Sequence, residues 1–208
     1  MGETSRDMKI LTHFDNHLYG SIEQIQKLFF EDTKSGYIIA NRRLKKLKEM
    51  GYLDNSMDLT SNRLIYRKKH PKVKPPSYHR VLILDAYSQL SALGYDVKYF
   101  KAEKEWLGGK FRSDGFIVIN AIDRIYRFFM EVQLSNHDPN LSKYDELLST
   151  GVVQKEFDCK INPNILLISD KHYKEINVNQ CRIIQVPTNF NQLSKFLMEV
   201  KDRKHILL

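Results

Sequence analysis

Apolar residues recur at helical spacing in short runs in the first third of the chain. The first run, residues 5–16, places Met8, Ile10 and Phe14 on one stripe. The second follows the sequence SIEQ at residues 21–24, a capping box in which the serine and glutamine side chains satisfy each other's backbone donors. The pattern therefore predicts one helix over residues 5–16 and a second that begins near Ile22.

The third run, YIIANRRLKKLKEMGYL at residues 37–53, interleaves apolar residues with five basic ones. Gly51 ends it, because glycine enters the left-handed cap conformation without steric cost. Two short segments with strand composition follow, residues 53–59 and 63–67, and residues 60–62 supply the turn between them. Three helices and a hairpin in this order predict a helix-turn-helix domain whose hairpin forms a wing.

A basic helix that runs into the letters MGYL resembles the winged-helix DNA-binding domains of bacteria. The resemblance implies that helix 35–49 enters the major groove of double-stranded DNA; a winged helix used for protein contacts is the alternative. Residues early on the helix contact base edges in such domains. Arg42 or Arg43 is suited to guanine or to a phosphate, and Asn41 to adenine. The residues predicted at the DNA are Ser35, Tyr37, Asn41, Arg42, Arg43, Lys45, Lys46, Arg63, Arg67, Lys68 and Lys69.

The charge is distributed unevenly along the 208 residues, whose net charge is +8. Residues 1–76 hold 15 Lys and Arg against 9 Asp and Glu, which leaves +6 in that part and +2 in the rest. A basic small half joined to a nearly neutral larger half indicates a polyanion-binding module attached to a second domain. Residues 70–77 contain three of the six prolines and predict a semi-rigid linker between domains 1–69 and 78–208.

The second domain alternates predicted helices and strands. Ser77 is expected to cap a helix over residues 78–93, with Gly94 as its stop. The pattern predicts a mixed sheet with helices on both faces, which is an α/β architecture following an α+β module. The predicted strands are residues 96–100, 111–119, 124–133, 164–168 and 182–186, and the further helices are residues 141–150, 170–176 and 189–200.

Three polar residues share one predicted hairpin. Asp114 begins one strand, and Glu131 and Gln133 lie on one face near the end of its partner. This arrangement resembles the PD-(D/E)xK nuclease family and its fold. The resemblance implies that Asp114 and Glu131 hold Mg²⁺, which prefers oxygen ligands.

The third catalytic position departs from the family pattern. Gln133 stands where the family has a lysine that orients or activates the attacking water, and a glutamine supplies no positive charge. Cleavage therefore stays open: Lys110 and Lys143 are conceivable substitutes, and a nuclease-like fold without metal chemistry is the alternative.

Other site classes lack their signatures. Cys159 and Cys181 are not in a CxxC pair, no Cys/His cluster has zinc spacing, and no glycine-rich phosphate loop is present. No 18-residue apolar run and no signal peptide are found. These patterns predict free thiols in a soluble, cytoplasmic protein that does not enter membranes.

The whole order, including RSDG, FFMEVQLS and LSKYDELL, resembles the replication-relaxation family of plasmids and other mobile elements. The resemblance implies a double-stranded-DNA-binding protein that acts in replication or DNA transfer, with other proteins of those processes as partners and a homodimer as the default state. One alternative is an Mg²⁺-dependent DNA endonuclease that uses Asp114 and Glu131. Another is a transcriptional regulator whose second domain senses a ligand or partner.

Overall fold

A computed structural model describes residues 4–121, 124–173, 176, 178–191 and 193–194. The chain divides into two compact units, Met1–Gly94 and Tyr95–Leu208. The division therefore falls after the helix that the sequence assigned to the second domain, and not at residues 70–77.

Unit 1 contains the predicted helices and hairpin. Its helices are α1 (Ser5–His17), α2 (Ile22–Phe29), α3 (Gly36–Glu49) and α4 (Tyr78–Ala92), and its strands are β1 (Tyr19–Ser21), β2 (Leu53–Asp58) and β3 (Arg63–Lys68). The strands form an antiparallel sheet in the order β1-β3-β2. The sequence pattern missed β1, because three residues are too few to show a strand period.

Local signals in the sequence set the bounds of these elements. The Ser21 side chain accepts from the Gln24 backbone at 3.2 Å, and the Gln24 side chain accepts from the Ser21 backbone at 2.8 Å, which confirms the predicted capping box. Gly51 adopts φ +84° after α3, as expected for a glycine stop. The core beneath the helices is apolar and includes Phe14, Ile25 and Leu44.

Helix α4 packs against unit 1 through polar as well as apolar contacts. Gln24 Nε2 donates to Asp85 Oδ1 at 2.7 Å and to Val81 O at 3.1 Å. The Arg63 guanidinium donates to both oxygens of Asp85, at 3.0 and 2.6 Å. Because Asp85 is only 8% exposed, these partners hold α4 on α2 and β3.

Unit 2 is built on a five-stranded mixed sheet in the order β4-β5-β6-β7-β8. Strand β5 is antiparallel to both of its neighbours, β4 and β6, whereas β6, β7 and β8 run parallel. The strands are β4 (Asp96–Trp106), β5 (Phe111–Ala121), β6 (Arg124–Val132), β7 (Asn164–Ile168) and β8 (Ile183–Val186), and the helices are α5 (Lys143–Ser149) and α6 (Val152–Glu156). The predicted mixed sheet is confirmed.

Several predicted bounds in unit 2 differ from the structure. Strand β4 continues to Trp106, beyond the predicted strand 96–100, and a register shift between Val97 and Tyr99 obscures its alternation. The expected helix 170–176 is wrong for its described residues, which are not helical. Residues 174–175, residues 122–123 between the predicted strands 111–119 and 124–133, and most of the predicted helix 189–200 lie outside the described residues.

An aromatic cluster fills the core of unit 2. Trp106, Phe116 and Phe129 are each at most 2% exposed and pack edge to face or at a tilt, with ring centroids 5.1 to 5.7 Å apart. Helix α5 closes over this cluster with Tyr144 and Leu147. Both cysteines are free thiols, as predicted. Within the described part of the chain, no helix has the length and apolar character needed to cross a membrane.

Candidate functional site

Two acidic residues meet where β5 and β6 are paired. The last paired residues of this ladder are Gly115 and Met130, and the same register places Asp114 opposite Glu131 one position further on. Side chains directly opposite on antiparallel strands share a face, with Cβ atoms about 4.5–5.5 Å apart. The backbone N–H of Val132 donates to Asp114 Oδ2 at 2.8 Å and fixes that carboxylate at the strand end.

Glu131 is the more enclosed of the two acids, with a side chain only 13% exposed. Burial raises the pKa of Glu131 above its ordinary value, the Lys143 ammonium opposes that rise, and the charge of Asp114 adds to it. Two neighbouring carboxylates in a poorly hydrated site repel one another, so the pair favours a nearby cation.

Lys143 supplies one such cation. Its Nζ lies 3.0 Å from Glu131 Oε1 and donates to the carbonyl oxygen of Arg112 at 2.9 Å. Lys143 is the first residue of α5, and its side chain keeps 28% of its surface exposed. A lysine from a helix therefore stands beside the acids, although the strand itself carries none.

Tyr144 holds the same carboxylate from the core side. Its hydroxyl donates to Glu131 Oε1, and its ring packs 4.3 Å from that of Phe129. Burial, with the charge of Glu131 next, raises the pKa of Tyr144 well above its ordinary value, so the phenol stays protonated and acts as a donor. Sequence reasoning assigned no role to Tyr144, whose only signal was its place beside Lys143.

Gln133 and Lys110, which the sequence also offered for this site, have side chains that bind elsewhere. Gln133 Nε2 donates to Ser135 Oγ and to His137 O, both at 2.7 Å, and so supports the loop after β6 instead of contacting Asp114 or Glu131. Lys110 forms an exposed ion pair with Glu146 at 2.7 Å. Of the candidate substitutes for the missing lysine, Lys143 reaches the acids and Lys110 does not.

The donor set at this site fits Mg²⁺ in kind. Asp114 and Glu131 offer carboxylate oxygens, the ligands that Mg²⁺ prefers. In proteins Mg²⁺ typically binds through one or two carboxylates, and waters and phosphates complete its coordination shell. Both described contacts of Glu131 use Oε1. Among the described residues, no group of three or more His, Cys, Asp and Glu side chains could hold a metal.

The exposed face of α3 in unit 1 carries part of the predicted DNA-binding set. Tyr37 is 44% exposed, and Arg42 and Lys45 are exposed on the same helix. Ser35 precedes the helix and is also exposed, without a side-chain cap bond. Asn41 is half-buried, and its Oδ1 has no hydrogen-bond partner among the described residues.

Other predicted DNA-binding cations are paired with acids inside unit 1. The pairs are Arg43 with Asp7 at 3.3 Å, Arg63 with Asp85 at 2.6 Å, Arg67 with Asp54 at 2.7 Å, and Lys68 with Asp15 at 2.5 Å. Lys46 is half-buried on α3, and Lys69 is exposed just after β3. The geometry of Arg63, which holds Asp85 with both guanidinium arms, is that of a structural residue.

Comparisons with known proteins find likeness to solved structures and none in sequence. No protein-family model matches the sequence, and no curated protein is significantly similar to it. The structure of the restriction endonuclease FokI bound to DNA is similar at 15% sequence identity and a TM-score of 0.35. That likeness covers 95% of this chain and 45% of the other, so the chain spans less than half of that protein's length.

Proposed function

We propose that this protein binds double-stranded DNA and that unit 2 carries a centre for divalent-metal-dependent cleavage of phosphodiester bonds. The observation that carries the proposal is the Lys143 ammonium 3.0 Å from Glu131, whose strand register places it opposite Asp114. Two carboxylates and a lysine at one strand end are the side chains that the PD-(D/E)xK arrangement requires. Their convergence supports a nuclease-like fold with the lysine supplied by α5.

Each side chain has a distinct task in this proposal. Asp114 and Glu131 would hold Mg²⁺, which when bound supplies Lewis-acid stabilisation of the charge that develops on the phosphate. The Val132 amide orients Asp114, and the Tyr144 hydroxyl orients Glu131. Lys143 places a charged donor at the rim, where it can orient a water or a phosphate oxygen.

A purely structural ion pair would explain part of this geometry, but it does not require a second acid. Lys143 could anchor α5 to β6 through Glu131 alone. Asp114 adds a like charge on the same face, and that charge raises the pKa of Glu131. Such repulsion costs stability, and clusters of this kind concentrate at functional sites.

DNA binding in the proposal rests on unit 1. We assign it the role of a winged helix-turn-helix, with α3 in the major groove and the β2–β3 hairpin at the backbone. The exposed Tyr37, Arg42 and Lys45 on α3 support this assignment. Replication or transfer of a plasmid or other mobile element is the biological setting that the sequence resemblance implies. Mapping bound sites to plasmid origins, as against promoters, separates that setting from transcriptional regulation.

Plasmid nicking tests the proposed chemistry. Supercoiled plasmid is incubated with the protein and Mg²⁺ or Mn²⁺, and the relaxed form is quantified. We expect metal-dependent nicking that Asp114→Asn and Glu131→Gln each slow about a hundredfold or more. Glu146→Gln is the matched control, because Glu146 is an exposed carboxylate on α5 paired with Lys110. Absence of metal-dependent nicking, or equal rates in all three variants, would overturn the proposal.

A further inference from the structure

A cavity opens in unit 2 at the end of the sheet opposite the site of Asp114 and Glu131. It has a volume of about 610 Å³ and lies where β6, β7 and β8 begin. Arg124 at this cavity lies seven positions before Glu131 on β6, which corresponds to about 23 Å along the strand. The cavity is therefore distinct from the site of Asp114 and Glu131.

Cationic side chains dominate the charge of this cavity. Arg124, Arg127, Lys160 and Arg182 line it, against one carboxylate, Asp158. Lys160 and Arg182 are exposed, and their side chains form no hydrogen bond or ion pair with the described residues. The cations outnumber the one carboxylate, and a multiply charged anion relieves the repulsion among them.

Arg127 adds an unsatisfied donor to the same wall. One arm of its guanidinium donates to the carbonyl oxygen of Phe157 at 3.4 Å, which is a long bond. Its Nε is buried and has no partner within the described part of the chain. A buried N–H without an acceptor is costly, so this group favours a ligand that brings oxygen atoms.

The remaining lining is apolar and aromatic. Ile125 and Ile161 are 53% and 66% exposed, which is unusual for large aliphatic side chains in one patch. Tyr126 also lines the cavity, and its ring stacks on Phe128 with an interplanar angle of 10°. Cations next to an aliphatic and aromatic wall fit a ligand with a charged and a flat apolar part, and do not fit a bare inorganic anion.

We propose that this cavity binds a nucleoside phosphate, the chemistry shared by a free nucleotide and the end of a nucleic-acid strand. The phosphates contact Arg127, Lys160 and Arg182, and the base lies against Tyr126 and the two isoleucines. The half-buried amide of Asn164 also lines the cavity and is suited to a base edge. The proposal uses none of the residues of the proposed cleavage centre and stands without it.

Calorimetric titration of the full-length protein with three probes tests the proposal. The probes are adenosine triphosphate, a 5′-phosphorylated thymidine trinucleotide and tripolyphosphate, titrated without divalent metal. We expect one of the two nucleotide probes to bind at least about tenfold more tightly than tripolyphosphate, because only the nucleotides use the apolar wall. Preference for the triphosphate identifies a free nucleotide, and preference for the trinucleotide identifies a strand end.

Variants then locate the binding. Lys160→Glu and Arg182→Glu should each weaken the preferred probe about tenfold or more, whereas Tyr126→Ala should weaken it and leave tripolyphosphate unchanged. Lys101→Glu is the matched control, because Lys101 is exposed on β4 away from the cavity. No binding of either nucleotide, equal binding of tripolyphosphate, or equal effects of Arg182→Glu and Lys101→Glu would overturn the proposal. Plasmid nicking measured on the same variants keeps its outcome separate from that of the cleavage centre.

Discussion

Lys143 Nζ lies 3.0 Å from Glu131 Oε1, although the two residues belong to different elements and are twelve positions apart. The strand position that would carry this lysine in the PD-(D/E)xK pattern holds Gln133, whose amide is used by the loop at Ser135 and His137. A cation therefore reaches the acids from the first turn of α5. In the proposed centre, Lys143 takes the role for which the strand supplies no lysine.

Substitutions of Lys143 should distinguish the contribution of its charge to cleavage from its contribution to the packing of α5. We expect Lys143→Ala to slow metal-dependent nicking about a hundredfold, because it removes the charged donor at the acids. Lys143→Arg keeps the charge and should retain more activity than the alanine variant. The measurement is the nicking rate at saturating Mg²⁺, with folding checked by circular dichroism. Equal rates for the alanine variant and the wild type would show that Lys143 only anchors α5.

Gln133 should behave as a loop residue. Gln133→Ala removes the donors to Ser135 and His137, so we expect faster amide hydrogen exchange in residues 134–140, measured by mass spectrometry. The nicking rate should change by no more than about twofold, because no described contact joins the Gln133 side chain to the acids. A loss of nicking as large as that of Glu131→Gln would return Gln133 to the catalytic set.

The exposed cations of α3 should carry the electrostatic part of DNA binding. The double variant Arg42→Ala/Lys45→Ala removes two charges that have no described acidic partner. We expect weaker binding to double-stranded DNA and a salt dependence whose slope falls by about 1–2, measured by fluorescence anisotropy from low to moderate salt. An unchanged slope would place the DNA on another surface.

Arg63→Ala should instead act on folding. The substitution leaves Asp85, 8% exposed, with the Gln24 amide as its one side-chain partner among the residues that the structure describes. We expect the free energy of unfolding to fall by about 2 kcal/mol, measured by urea denaturation, because a mostly buried carboxylate loses its cation. Arg42→Ala is the control and should change stability little. A loss of DNA affinity from Arg63→Ala without loss of stability would contradict this role.

His13 should make unit 1 less stable in mild acid. Burial, with a smaller contribution from the charge of His17, lowers the pKa of His13 from 6.5 to about 3, while its Nε2 donates to the carbonyl oxygen of Tyr19 at 3.0 Å. Between these two pKa values the unfolded chain binds a proton that the folded chain does not, so stability falls as the pH decreases from 6.5 towards 3. The contribution is about 2 kcal/mol between pH 7 and pH 4.5.

The corresponding measurement compares wild type and His13→Gln. Glutamine keeps a donor for Tyr19 but does not titrate. Urea denaturation of both proteins at pH 7 and pH 4.5 should show a larger acid-induced loss for the wild type. Identical losses would mean that His13 does not remain neutral in the folded protein.

Local sequence signals allowed most elements of unit 1 to be predicted. The capping box of Ser21 and Gln24, the glycine stop at Gly51 and the hairpin turn are decided by neighbouring residues, so α2, α3, β2 and β3 were predicted nearly to their bounds. The assignment of α4 failed, because prolines at residues 71–76 indicate a linker while the partner of Asp85 is Arg63, 22 positions away. A buried ion pair between residues distant in sequence does not appear in the hydrophobic periodicity of the chain.

The candidate site, too, was predicted from the sequence in part. The hairpin pattern brought Asp114 and Glu131 together, since antiparallel register follows from the two strands and their turn. The positions of Lys143 and Tyr144 depend on how α5 packs on the aromatic cluster of Phe129, which spacing alone does not determine. The cavity was missed because its cations come from the start of β6 and from the segments before β7 and β8.

The most direct test of the cleavage centre is a crystal structure of the protein soaked in Mn²⁺, with anomalous scattering used to locate the metal. We expect an anomalous peak within bonding distance of carboxylate oxygens of both Asp114 and Glu131, and its loss in Glu131→Gln crystals soaked in the same way. A peak that contacts neither carboxylate, or the absence of any peak while Lys143 remains on Glu131, would contradict the metal-dependent centre and leave the pair as a structural ion bridge.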